Sequence, residues 1–349
     1  MLFEIYIAVL ATIFGIILIT KGSDLSTDSL IPVAKRLGTT HVAVALVIVS
    51  IVISLPEIFV SLYAVLLGHM NISLGVVIGS IICNIGLMVG LSALIKPLKV
   101  NKKIVLRDGI FAVSVSIMVL VLSADAKITR AEGAAFVLMF IPYLVNVWES
   151  EKDKHKEALQ KELKEIETEL DLVILGRAKA GIFTFVMGIS ALLLGSFIFS
   201  WSLVQIANFS GLSDLLIGLT IGAIGPSIPN IASAIQGTIK GIEDIAISET
   251  LGSDIFTLLI TLGILSLVQP LELSLGWLRF DIPIMVFMSI TLLFFMISRR
   301  YISRLEGGFL VFFYFGTLII NIIIHTELII KSINAWSSRK DSLFNSLIR

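Results

Sequence analysis

Cysteine is almost absent: Cys83 is the only one in 349 residues. A lone cysteine forms no intrachain disulfide and no metal–thiolate cluster. Charge is scarce too. Lys, Arg, Asp and Glu make up 15% of the chain, where a soluble domain carries about 25%. Fourteen of the 52 charges fall within Glu149–Asp171 alone. The rest are spread so thinly that a soluble enzyme, a nucleic-acid binder and a disordered chain are all excluded. Net charge is zero, which offers nothing to a polyanionic partner. Phosphate-cradling, nucleophile-elbow and zinc-protease patterns are missing, so no enzyme is expected. What remains is apolar: 56% hydrophobic residues and a mean hydropathy of +1.00. These define an all-α polytopic membrane protein.

A helix needs about 20 predominantly apolar residues to cross the hydrocarbon core. Ten such stretches occur, at about 3–34, 42–67, 72–95, 108–124, 130–148, 178–208, 214–239, 244–268, 282–298 and 308–330. The first has no basic n-region and no small-residue cleavage site, so it is expected to be retained as a span rather than removed as a signal peptide. Glu149–Asp171 carries Leu159, Leu163, Ile166 and Leu170 at helical spacing and reads as a surface helix between two halves. The expected layout is a first five-helix unit over 1–148, a charged linker over 149–174, a second unit over 175–331 and a tail over 332–349. With both termini outside, eighteen Lys and Arg lie on the inner side and seven on the outer. The positive-inside rule therefore places both termini outside the cell membrane and the linker in the cytoplasm.

Displaced by 173 residues, the chain matches itself without a gap from Gly22–Leu98 to Gly195–Leu271. Gly22/Gly195, Ser54/Ser227, Pro56/Pro229, Gly68/Gly241, Gly79/Gly252, Ser80/Ser253, Gly90/Gly263 and Pro97/Pro270 coincide. Shared Leu and Ile align by chance in apolar sequences; Gly, Pro and Ser do so far less easily. Each half has five expected spans, an odd number, so the second copy enters the membrane from the opposite side. Ten transmembrane helices as two inverted five-helix repeats point to a secondary transporter, although some channels share the architecture.

Two segments of each repeat carry chemistry. Ile53-Ser54-Leu55-Pro56-Glu57 corresponds to Pro226-Ser227-Ile228-Pro229-Asn230. A proline inside a helix frees the carbonyl four residues earlier, here those of Val52, Gly222 and Gly225. Freed carbonyls beside a hydroxyl and a carboxylate make an oxygen-rich cation site. Glu57 is the decisive residue, because a mid-membrane acid costs about 2.5–3.5 kcal/mol on insertion scales and marks function. The second pair is Gly75–Asn84 and Ser248–Thr257. Helical periodicity sets Ser80 and Asn84 on one face, and Glu249, Ser253 and Thr257 on the matching face; Asp254 is the other acid of that apolar span.

The SLPE segment, the GxVxGSxxxN segment and their second-half counterparts resemble the α-repeats of the sodium/calcium exchanger family, within the calcium:cation antiporter superfamily. The resemblance implies an alternating-access antiporter with a midplane site that carries Ca²⁺ and Na⁺ as cargo, without a resident cofactor; inorganic cations and the lipid bilayer are its expected partners. It implies ligand roles for Ser54, Glu57, Ser80, Asn84, Ser227 and Ser253. Ile53 and Pro226 stand where the family usually has Thr. Asn230 replaces the second repeat's Glu, and Thr257 replaces a frequent Asp. The lost charge is expected to come from Glu249 first, one turn before Ser253, and from Asp254 second. The alternatives are an exchanger of the same fold for another cation, coupling to H⁺, and a cation channel on this scaffold.

Overall fold

The computed structural model describes residues 2–36, 51–152, 181–241 and 245–323. Nearly all of these are helical, because a backbone in hydrocarbon must satisfy its own hydrogen bonds. In chain order the helices are α1 (Leu2–Arg36), α2 (Leu55–Leu66), α3 (Met70–Ile95), α4 (Val105–Asp125), α5 (Arg130–Lys152), α6 (Ile182–Ser210), α7 (Asp214–Ile239), α8 (Ala246–Val268), α9 (Trp277–Arg299) and α10 (Arg304–Ile323). Nine of the described helices are long and apolar enough to cross a membrane, and α2 is shorter. The first part of the expected span 42–67 lies outside the described residues, as do most of the linker and the tail. Helix α5 continues past 148 as far as Lys152.

The helices sort into an inner and an outer set. Helix α3 is buried along its most apolar stretch and α7 and α8 mostly so, whereas α1, α5, α6 and α10 are largely exposed. Phe3, Tyr6, Leu10, Ile13, Phe14 and Ile17 of α1 face outward, as lipid-facing side chains do. The main core packs Leu74, Ile78, Ile81, Met88, Leu251, Ile255 and Leu259 between the inner helices.

The halves pair reciprocally. Strand β1 (Leu98–Lys99) runs antiparallel to β4 (Tyr301–Ile302), and β2 (Lys127–Ile128) to β3 (Leu271–Glu272). Leu98 faces Ile302, and Leu271 faces Ile128. Gly133 packs on the Gly263 carbonyl, and Gly307 on that of Gly90. The spacing between equivalent residues is 173 as far as Ser116/Ser289, whose hydroxyls lie 3.2 Å apart. It becomes 174 from Ala126/Arg300, the two non-glycine residues with positive φ among those described. Capping boxes then open the fifth helix of each half, Thr129 with Glu132 and Ser303 with Glu306. A two-fold relation between the halves produces such pairing, so the repeat extends well beyond Leu98.

Helices α1 and α6 approach to backbone distance at four glycines. A Cβ on Gly22 would lie 2.4 Å from the Leu192 nitrogen, and one on Gly195 2.8 Å from the Ile19 nitrogen; Gly15 and Gly188 are as tightly covered. Small residues permit such approaches in membranes. Gly22→Val is therefore expected to lower stability by about 1–3 kcal/mol or more through overpacking. The thermal unfolding midpoint in detergent measures it, with Gly316→Ala, where nothing lies within 4 Å, expected to match the parent protein.

Candidate cation site

The SLPE segment breaks its helix at Ser54. The Ser54 amide bonds the Ile51 carbonyl in a tight turn, and Pro56 occupies the first turn of α2, where a missing N–H costs nothing. Its equivalent behaves differently. Helix α7 runs through Pro226 and Pro229 without a break, after a wide π-helical turn at Gly218–Gly222. The equivalent prolines Pro56 and Pro229 therefore mark a helix start in one half and lie within a continuous helix in the other. Helix α3 crosses α7 at close range beside them: a Cβ on Gly75 would lie 2.5 Å from the Gly218 Cα, and one on Gly79 2.7 Å from the Ala223 Cβ. Gly252, the equivalent of Gly79, has nothing within 4 Å among the described residues.

Two cross-half hydrogen bonds define the site. The Asn230 amide donates to Glu57 Oε1 at 3.3 Å, so residues 173 apart meet face to face. The Asn84 amide donates to Asp254 Oδ1 at 3.0 Å. Glu57, Asn84, Asn230 and Asp254 are all buried, and the two carboxylates interact electrostatically. Among the described residues no Lys, Arg or His forms an ion pair with either. Asn84 opens a π-helical turn in α3, and Thr257, its equivalent, opens one in α8. Such turns widen a helix at functional sites.

Other oxygen atoms of these segments are unsatisfied. Glu57 Oε2, Asn84 Oδ1, Ser227 Oγ, Ser253 Oγ and Thr257 Oγ1 are buried without a hydrogen-bond partner. An unsatisfied buried donor or acceptor costs about 1–3 kcal/mol, a cost that a bound cation would offset. Ser80 is also buried, but its hydroxyl returns to the Val77 carbonyl at 3.0 Å. Ser54 is buried at the helix break. Glu249 is half-buried, unlike Asp254. The sequence ranked Glu249 before Asp254; in the structure Asp254 bonds across to Asn84, while Glu249 keeps Oε2 shielded from water. The back of Asp254 borders a small cleft with Gly109, Ala112, Ser289 and Met296.

The sequence reading missed several supporting groups. Ser61 caps the Glu57 carbonyl at 2.5 Å, and Ser200 of α6 bonds the Val60 carbonyl at 2.8 Å, holding α2 in place. It also passed over Asp108 and Asp281, buried equivalents 173 apart. Asp108 takes Arg107 at 2.8 Å and Tyr143 at 3.3 Å, while Asp281 takes Asn321 at 3.0 Å. Following the repeat past Leu98 would have found them. Among the described residues no three His, Cys, Asp or Glu side chains cluster. The donor set is oxygen from acids, amides and hydroxyls, which suits hard cations.

Fold and site together define a polytopic membrane protein with two equivalent halves and buried carboxylate and amide groups bonded where they meet. Residues 7–149 and 180–323 match the sodium/calcium exchanger protein family, and the chain belongs to that family. It is 33% identical over 314 residues to the putative antiporter CaxA of Alkalimonas amylolytica, covering 88% of this chain and 97% of that protein. It is 28% identical to the sodium/calcium exchanger MaX1 of Methanosarcina acetivorans, over 89% of this chain and 97% of that one. Among solved structures, the sodium-calcium exchanger NCX_Mj soaked with 10 mM Na⁺ and zero Ca²⁺ superposes with a TM-score of 0.62 at 25% identity. That match covers 90% of this chain and 99% of that chain.

Proposed function

We propose that this protein is a secondary antiporter that exchanges Ca²⁺ for a monovalent cation, Na⁺ first, through a single site between its halves. The observation that carries this reading is the pair of cross-half contacts, Glu57–Asn230 and Asn84–Asp254, with unpartnered oxygens on Glu57 and Asn84 themselves and on Ser227, Ser253 and Thr257 of the same segments. Two carboxylates balance one divalent ion, and Ca²⁺ takes six to eight oxygens from carboxylates, amides, carbonyls and water. Glu57 and Asp254 supply charge; Asn84, Asn230, Ser227, Ser253 and Thr257 supply neutral oxygens, with Ser54 and Ser80 beside them. The ions are cargo and no resident cofactor is required.

The names of the relatives, antiporter and sodium/calcium exchanger, support the same reading. Alternating access follows from the repeat: two equivalent halves in opposed orientations can trade conformations, exposing the shared site to each side in turn. The charge bias places both termini outside and the linker in the cytoplasm. The decisive experiment is a cation screen in proteoliposomes holding the purified full chain, with Na⁺ and H⁺ gradients imposed separately. Ca²⁺ uptake should require an outward Na⁺ gradient and cease when that gradient is collapsed. Uptake that follows the H⁺ gradient alone would make H⁺ the coupling ion. Uptake that needs neither would establish a channel.

A further inference from the structure

The fourth helix of each half opens with a buried acid. Asp108 lies in the π-helical turn Val105–Gly109 of α4, and its equivalent Asp281 in the turn Trp277–Asp281 of α9. Both are buried. Each receives a donor from the fifth helix of its own half: Tyr143 of α5 donates to Asp108 at 3.3 Å, and Asn321 of α10 to Asp281 at 3.0 Å. Their counter-charges differ. The Arg107 guanidinium donates to Asp108 through Nε and Nη2, both at 2.8 Å. Position 280, the equivalent of Arg107, holds a Phe that is 41% exposed.

Asp281 has no such cation among the described residues. From α10 it faces Asn321, which is neutral, and no charged side chain interacts with it from α3 or α4. Arg279 of its own turn is exposed and forms no ion pair with it. The start of a helix favours a carboxylate, but Asp108 occupies the same place in α4 and still takes a guanidinium. Neither Glu57 nor Asp254 interacts with Asp281, so a cation held by those acids does not serve it. A buried carboxylate without a counter-charge is strongly disfavoured, and a group so placed is neutralised instead. One carboxylate and one amide offer too few oxygens for a metal ion. A proton suffices.

We infer that Asp281 is a proton-binding site, whose neutral acid takes the part that the Asp108–Arg107 pair plays in the other half and keeps α10 docked on α9. The inference does not depend on the exchanger reading. As pH rises the proton leaves, an uncompensated carboxylate remains, and stability falls. The test uses the purified full chain in detergent, with thermal unfolding and infrared spectra recorded between pH values of about 6 and 9. The parent protein's melting temperature should fall across that range. Its folding equilibrium should lose up to about tenfold per pH unit relative to Asp281→Asn, which keeps the shape of the neutral acid. The infrared band of neutral carboxylic acids at the acidic end should be weaker in Asp281→Asn. Phe280→Arg supplies the missing guanidinium and should weaken the same band and flatten the pH profile. His69, bonded to Asp214 at 2.8 Å, can also titrate, but that pair and the acids Glu57 and Asp254 are common to every variant. The difference between profiles therefore reads Asp281 alone. Parallel pH profiles of the parent and Asp281→Asn, or a band that Asp281→Asn leaves unchanged, overturn the inference. So does a parent midpoint that follows Na⁺ concentration and not pH, because a metal cation would then balance the charge. If Phe280→Arg does not fold, the comparison of the parent with Asp281→Asn still decides.

Discussion

Glu57→Gln should cut counter-ion-driven Ca²⁺ uptake by about thirtyfold or more, while the protein still folds. Glu57 is fully buried, accepts one bond from Asn230 and leaves Oε2 unpartnered. On the proposed reading a bound cation balances its negative charge. Gln preserves the shape and can still meet Asn230, but a divalent ion then faces Asp254 alone. Losing one charge-assisted contact in a buried pair costs about 2–5 kcal/mol, and each 1.4 kcal/mol is tenfold in affinity. Stability should move the other way. Without a cation, the Gln variant should melt no lower than the parent protein, because an unbalanced buried charge has been removed. Added Ca²⁺ should raise the melting temperature of the parent, as any ligand selective for the folded state does, and leave the variant unmoved. A folded variant with parental uptake would remove Glu57 from the site.

Asp254→Asn should weaken Ca²⁺ binding by a similar order, about a hundredfold, whereas Glu249→Gln changes it by about threefold or less. The contrast follows from placement. Asp254 is 4% exposed and bonded to Asn84, whereas Glu249 is half-buried on the same helix. Asp254 sits beside Asn84 and the Glu57 carboxylate, where the proposed ion would lie, and Coulomb interaction weakens with distance. Titration of Ca²⁺ against the melting temperature of each variant measures both effects. A large loss from Glu249→Gln with a small one from Asp254→Asn would restore the order that helical periodicity suggests.

The Asn84–Asp254 contact shows where sequence reading stops. Periodicity places Glu249, Ser253 and Thr257 on one face of an ideal helix and turns Asp254 about 100° away. Helix α8, however, widens into a π-helical turn at Thr257, and α3 presents Asn84 to the neighbouring face. Which face looks into the pocket is set by the partner helix, and one chain's periodicity has no access to it. Proline chemistry is similar. Pro56 and Pro229 are equivalent in sequence, yet one starts a helix and the other is accommodated within one, because the surrounding backbone chooses how to spare the lost N–H.

The sequence by itself determined the class: apolar runs of membrane length, a 173-residue repeat, and one conspicuous acid, Glu57, in a segment shared by both halves. Hydrophobic thickness and the cost of buried charge act locally, so they are written along the chain. Only the tertiary structure decided that Glu57 meets Asn230 and that Asp254, rather than Glu249, joins Asn84. It also showed that the repeat reaches through Asp108/Asp281 to the fifth helix of each half. Those facts depend on which helices touch, at which glycines and in what rotation, and packing between distant segments settles them.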